Sequence, residues 1–149
     1  VIRFRRLLVP HDFSSEATRA LRIAAALATA PGSRIRVLHA ITPYENVPEI
    51  ATGQLGAWMP PAELIAHQLK RLEALVGRAL SSPDGPHVEC RVVIGNPAQC
   101  ILDGARGMDA IVLGTTGRTG LANLLIGSVA EKVLRHATIP VLTIPRTTR

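Results

Sequence analysis

The 149-residue sequence predicts one α/β domain over residues 1–149, an open, doubly wound sheet of five parallel strands with helices on both faces. Three observations carry this reading. Five short runs rich in Val, Ile and Leu, bounded by turn residues, have the length and composition of buried strands. The segments between them place apolar residues three and four positions apart, as amphipathic helices do. The first strand, helix and strand fit within about 36 residues, the βαβ unit whose right-handed crossover makes its strands parallel.

The elements follow in order. Arg5-Arg6-Leu7-Leu8-Val9-Pro10 is a mostly apolar run stopped by Pro, a buried strand. Ser14 and Ser15 supply N-cap chemistry, and Ala17, Ala20, Leu21, Ala24, Leu27 and Ala28 line one helical face that ends at Pro31-Gly32. Arg34 to Ala40 is the second strand. Thr42 to Pro60 has no period and carries Pro43, Pro48, Gly53, Gly56 and Pro60, a long excursion of the kind that often serves function. Pro61 to Leu80 repeats Leu64, Ile65, Leu69, Leu72, Leu75, Val76, Ala79 and Leu80 at helical spacing. Val88 to Ile94 is the third strand. Gly95-Asn96-Pro97 then turns into a short helix, with Asn as N-cap and Pro at its first position. Asp109 to Gly114 is the fourth strand, Ser128 to His136 the last helix and Val141 to Ile144 the last strand.

Composition narrows the function. Hydrophobic residues are 47% and charged residues 19%, which excludes a disordered chain. The longest apolar stretch, Ile23 to Ala28, is far short of the roughly 18 residues of a membrane span, and Leu7-Leu8-Val9 is too short for a secretory signal. A soluble, cytoplasmic protein is expected. The chain opens on Val1 rather than Met, so a few further N-terminal residues are expected. Fifteen of the 17 basic residues are Arg, and the formal charge is +6. These arginines are scattered, and of Phe4, Phe13 and Trp58 only Phe4 lies among them, between Arg3 and Arg5, so a general attraction for anions is expected rather than nucleic-acid binding. Cys90 and Cys100 have no CxxC partner and are expected reduced and buried. The five histidines show neither HxxxH nor HExxH spacing, so no metal site is expected.

The chemistry concentrates after the fourth strand. Gly114-Thr115-Thr116-Gly117-Arg118-Thr119-Gly120 leaves it, and Gly127-Ser128 opens the last helix. Glycines let the backbone approach a phosphate closely, Thr and Ser offer hydroxyls, and the free amides at a helix start carry the positive end of its dipole. Arg118 adds a full charge. Ser128-Val129-Ala130-Glu131 also reads as a capping box, which would account for Ser128 without a ligand, though not for the other glycines and threonines. The chain has neither G-x-x-x-x-G-K-[ST] nor a G-x-G-x-x-G after the first strand, so a P-loop and a dinucleotide site are disfavoured; no G-x-S-x-G elbow occurs.

At these residues the chain resembles the universal stress protein family, whose nucleotide-binding members carry G-x2-G-x9-G-[ST]; Gly114, Gly117, Gly127 and Ser128 match with that spacing. The resemblance extends to Leu8-Val9-Pro10-His11-Asp12-Phe13-Ser14, Leu38-His39-Ala40, Gly95-Asn96-Pro97 and Ile139-Pro140-Val141-Leu142, and so covers essentially the whole chain. It implies a Rossmann-like sheet of order 3-2-1-4-5 and a site for ATP, with any Mg2+ held mainly by the phosphates. Carried over by position, Pro10, Asp12 and Ala40 would lie against adenine and ribose. Gly114, Thr115, Thr116, Gly117, Arg118, Thr119 and Gly120 would wrap ribose and phosphates. Gly127, Ser128, Val129 and Ala130 would hold phosphate. Two positions depart from the pattern. His11 stands where a small or hydroxyl residue is frequent and reads as a packing residue, and Ala40 replaces a common Val, leaving the adenine pocket roomier. The family also implies homodimers through the last strand, Val141, Leu142, Thr143 and Ile144, an apolar edge of the kind that invites strand addition.

Three functions compete. The first is a dimeric, ATP-binding regulatory protein of the stress response. The second is a slow ATPase or phosphotransfer enzyme, for which Asp12 would be an isolated carboxylate, a weak catalytic constellation. The third is a nucleotide-independent interaction dimer.

Overall fold

A computed structural model of the chain describes residues 4–42, 62–82, 84–115 and 126–146. Nine elements alternate along them: β1 (Arg6–Pro10), α1 (Ser15–Leu27), β2 (Arg34–Ile41), α2 (Ala62–Ala79), β3 (His87–Ile94), α3 (Pro97–Gly104), β4 (Ala110–Gly114), α4 (Ser128–His136) and β5 (Val141–Ile144). The sheet runs β3-β2-β1-β4-β5, and every pair is parallel. This is the doubly wound α/β fold and strand order expected from the sequence. The excursion after Thr42 lies outside the described residues.

The central strands β1 and β4 are buried on both faces, which is why they read as continuous apolar runs. Alternate residues of β1 and β2 feed two cores. Leu7, Val9, Ile35 and Val37 pack with Leu21 of α1 and Leu72 and Val76 of α2. Leu8, Leu38, Ile111 and Leu113 pack with Ala98 and Ile101 of α3 and Ala130 and Val133 of α4. Leu7, Leu8, Leu21, Ile35 and Leu72 are fully buried, each worth about 1.5–3 kcal/mol of transfer free energy.

Two helix starts are capped as the sequence indicates. Ser14 Oγ accepts the Ala17 N–H at 3.1 Å ahead of α1, and Asn96 Oδ1 accepts the Gln99 N–H at 3.2 Å ahead of α3. The cysteines require a correction. Both are free but only partly buried. Cys90 lies on the edge strand β3, which has a neighbouring strand on one side only. No helix among the described residues is long and apolar enough to cross a membrane.

Candidate functional site

The strand order reverses between β1 and β4. Chain connections lead from β1 outward to β2 and β3, and from β4 outward to β5. The loops leaving the carboxyl ends of β1 and β4 therefore part, and a crevice opens where ligands of this fold class bind. A cleft of about 340 Å³ lies there, at the low end of small-molecule sites, roughly 300–1,000 Å³.

Nine of the site residues expected from the sequence line it. Pro10, Asp12 and Ala40 come from the ends of β1 and β2, and Gly114 and Thr115 from the end of β4. Gly127, Ser128, Val129 and Ala130 come from the start of α4. Thr116, Gly117, Arg118, Thr119 and Gly120 lie outside the described residues. Leu38, His39 and Pro97, from the segments that carry the family resemblance, also line the cleft, as do apolar Ile101 and Leu113, for which the sequence indicated no site role. Their signal was positional, since each lies near a strand end or in the helix packed beside it.

The start of α4 falls where the sequence places it, but without the capping box. Gly127 is the N-cap, no side chain caps the helix, and Ser128 is already its first residue. The capping box is absent because Ser128 stands inside the helix rather than at its N-cap; Glu131 pairs with Arg135 at 2.8 Å one turn ahead. The first intrahelical bond recorded runs from the Glu131 N–H to the Gly127 carbonyl. The amides of Ser128, Val129 and Ala130 thus lack acceptors within the helix and stand at the positive end of its dipole, on the cleft.

Backbone ties hold this start in place. Thr115 is buried, its N–H donates to the Ile144 carbonyl at 3.0 Å, and its own carbonyl accepts the Gly127 N–H. Gly114 has a packing reason of its own. A Cβ there would lie 3.0 Å from Glu16 Cβ and 3.2 Å from the Glu16 carbonyl carbon, so only glycine lets β4 pass the first turn of α1 this closely.

The opposite wall is the β1–α1 turn. Asp12 Oδ1 accepts the Ser14 N–H at 3.0 Å. His11 is 3% exposed, and its ring is tied on both sides. Nδ1 accepts the Phe13 N–H at 3.0 Å, and Nε2 lies 3.2 Å from Thr18 Oγ1. The Thr18 hydroxyl donates to the Ser14 carbonyl, so its oxygen is free to accept a proton from Nε2. Burial pushes the His11 pKa from 6.5 down to about 4, with Asp12 opposing and His39 adding to the shift. A neutral, doubly bonded imidazole is what a packing role for His11 requires. Beneath it, the His11 carbonyl accepts from His39 Nδ1 at 2.8 Å.

A larger depression of about 1270 Å³ lies at the other end of the sheet, lined by Ala28, Ala79 and Leu80 at the ends of α1 and α2. Helix carboxyl ends present carbonyls and the negative pole there, which suits an anionic ligand poorly. The chemistry of the 340 Å³ cleft outweighs its smaller size.

A parallel sheet with its cleft at the strand-order reversal, faced by a helix start that no side chain caps, defines the doubly wound α/β class. Within that class the chain belongs to the universal stress protein family, whose sequence model matches residues 3–145. It is 34% identical over 141 residues to a universal stress protein of Thermus aquaticus from the QAH/OAS sulfhydrylase 3′ region, an alignment covering 93% of this chain and 97% of that protein. Protein MJ0577, of Methanocaldococcus jannaschii, has a solved structure that superposes with a TM-score of 0.78 at 27% identity, covering 99% of this chain and 100% of that one. A universal stress protein of Archaeoglobus fulgidus solved in complex with dAMP shares the fold, with a TM-score of 0.62 at 23% identity over 97% of this chain and 99% of that one.

Proposed function

We propose that this chain binds an adenine nucleotide, ATP in the first instance, in the cleft between β1 and β4, and acts as a dimeric regulatory protein of the stress response. The observation that carries the reading is the uncapped start of α4. Three amides, Ser128, Val129 and Ala130, stand without intrahelical acceptors on the wall of a cleft, and an anion there gains about 0.3–1 kcal/mol from the dipole alone, more where partly buried. The Archaeoglobus relative in complex with dAMP supports an adenine-bearing ligand.

In this reading Pro10, Asp12 and Ala40 take the base and ribose. Gly114 and Thr115, with Thr116, Gly117, Arg118, Thr119 and Gly120, take ribose and phosphates, and Gly127 to Ala130 hold the phosphate tail. Mg2+ would travel with the phosphates. Nucleotide regulates by binding one conformation more tightly than another and so changing the surface a partner meets. The dimer forms through β5, an edge strand with Leu142 42% exposed. Ile144 is buried in the first core, so it contributes main chain only.

Mass spectrometry of nucleotide released from purified protein, with calorimetry on the stripped protein, tests the site. Release of an adenine nucleotide, and loss of binding in Gly117→Asp and Ser128→Asp, are expected. No release and no heat with ATP would leave the nucleotide-independent dimer. Sedimentation of Leu142→Lys tests the dimer, with a shift to monomer expected.

Slow hydrolysis is a second reading, favoured by the Asp12 carboxylate, the only one among the described lining residues. Multiple-turnover phosphate release that vanishes in Asp12→Ala would establish it.

A further inference from the structure

The arginines that lie scattered along the chain converge at the end of the sheet opposite the cleft. Arg6, Arg34 and His87 are the first residues of β1, β2 and β3 and stand in register across the three strands. Neighbouring strands are about 4.8 Å apart. Two residues further along β2, Arg36 is in register with Glu89, and two further again Leu38 is in register with Arg91. Partners in a parallel ladder share a face, and here it is the face of Leu8 and Leu38, covered by α3 and α4.

That cover is incomplete for a reason of length. The eight residues of α3 reach about 12 Å, whereas the eight residues of β2 or β3 extend about 26 Å. On the opposite face α2, with 18 residues, reaches about 27 Å. The amino halves of β2 and β3 are therefore bare on the α3 side. A groove of about 530 Å³ remains, floored by these strands and walled by the Arg106–Met108 turn that follows α3. It shares no lining residue with the nucleotide cleft.

Five arginines line the groove, Arg6, Arg34, Arg36, Arg91 and Arg106, and Glu89 is the only carboxylate in the lining; just outside it, Asp109 pairs with Arg6 at 2.9 Å and Asp103 with Arg106 at 3.5 Å. Glu89 accepts from Arg36 Nε at 3.1 Å and Arg91 Nε at 2.7 Å. Those two pairings, Arg91 first, hold its carboxyl below the ordinary value against a smaller desolvation effect. Both contacts use Nε, so the terminal nitrogens of the two guanidiniums remain for a further acceptor. Arg34 forms no ion pair among the described residues. Five arginines against the three carboxylates that pair with them leave positive charge around one space, which becomes favourable around a multiply charged anion.

We propose that this groove is a second anion site, taking a compact phosphate-bearing anion with two or more negative charges, in which Glu89 orients Arg36 and Arg91 and Arg34 and Arg6 complete the cradle. The volume is that of a small-molecule site. Among the described lining residues the imidazole of His87 is the one aromatic ring, and no Phe, Tyr or Trp is present, which disfavours single-stranded nucleic acid.

Calorimetric titration of the full chain with tripolyphosphate, at about 0.15 M ionic strength to screen loose surface attraction, tests the assignment. All variants carry Ser128→Asp, which disables the nucleotide cleft. Saturable 1:1 binding is expected in that background, weakened at least about tenfold by Arg34→Ala with Arg91→Ala. Arg22→Ala with Arg78→Ala removes the same charge elsewhere and is expected to leave the affinity unchanged. The proposal is overturned if no binding survives Ser128→Asp, or if both arginine pairs weaken binding equally. Tighter binding of an oligonucleotide or a poly-glutamate peptide through Arg34 and Arg91 would also overturn the small-anion assignment. Because the cleft is disabled throughout, the result stands apart from the nucleotide proposal.

Discussion

The guanidinium carbon of Arg71, on α2, lies 3.9 Å over the ring of Phe13 in the β1–α1 turn. Phe13 has φ of +66°, the only non-glycine with positive φ among the described residues. Its ring also meets His39 edge-on, with centroids 4.7 Å apart. Ring packing thus holds a bulky residue in a conformation that costs about 1–2 kcal/mol. That turn presents Asp12 to the cleft, so α2 and the cleft wall are mechanically joined.

Phe13→Gly is accordingly expected to be about 1 kcal/mol more stable than Phe13→Ala, although both lose the ring. Arg71→Ala is expected to cost about 0.5–1 kcal/mol. Urea unfolding of the three variants checks both, and an alanine variant as stable as the glycine variant would contradict strain at Phe13.

His11 makes stability depend on pH. The folded imidazole titrates at about 4 against 6.5 ordinarily, so between these values the unfolded chain binds the extra proton. The His11 contribution is flat above about pH 6.5 and falls as pH drops towards 4, by on the order of 3 kcal/mol across the window. Denaturant unfolding at stepped pH should show this slope in the wild type. It should shrink by about one proton in His11→Asn, which keeps an acceptor for the Phe13 N–H.

Gly114→Ala should destabilise the ligand-free protein by about 1–3 kcal/mol, since its Cβ meets Glu16 backbone and Cβ at 3.0–3.2 Å. Thermal unfolding without nucleotide checks this. Unchanged stability would assign Gly114 to the ligand alone.

Burial pushes the Cys90 thiol up to about 11, with the Glu73 and Glu89 carboxylates adding to the shift. In a Cys100→Ser background at pH 8, iodoacetamide should label native Cys90 at least about tenfold more slowly than the denatured chain. Equal rates would show a thiol open to reaction.

The last helix and the last strand have the bounds read from periodicity, Ser128 to His136 and Val141 to Ile144. Apolar spacing and burial report the same contacts there. The fold class was legible for the same reason, whereas the strand order came from the family resemblance. The capping box failed because S-x-x-E spacing does not say which residue is the N-cap, and the helix takes Gly127 there, one residue before Ser128.

The amino-acid sequence by itself determined the alternation of strands and helices, the glycine-rich segment after the fourth strand and the opening of the last helix. Each depends on neighbours within a few residues. Tertiary structure alone decided that Gly114 passes Glu16 with no room for a side chain, that His11 is neutral and tied at both nitrogens, and that Arg6, Arg34, Arg36, Arg91 and Arg106 share one groove. These depend on residues far apart in the chain that meet only through strand register and helix length, which no local pattern records.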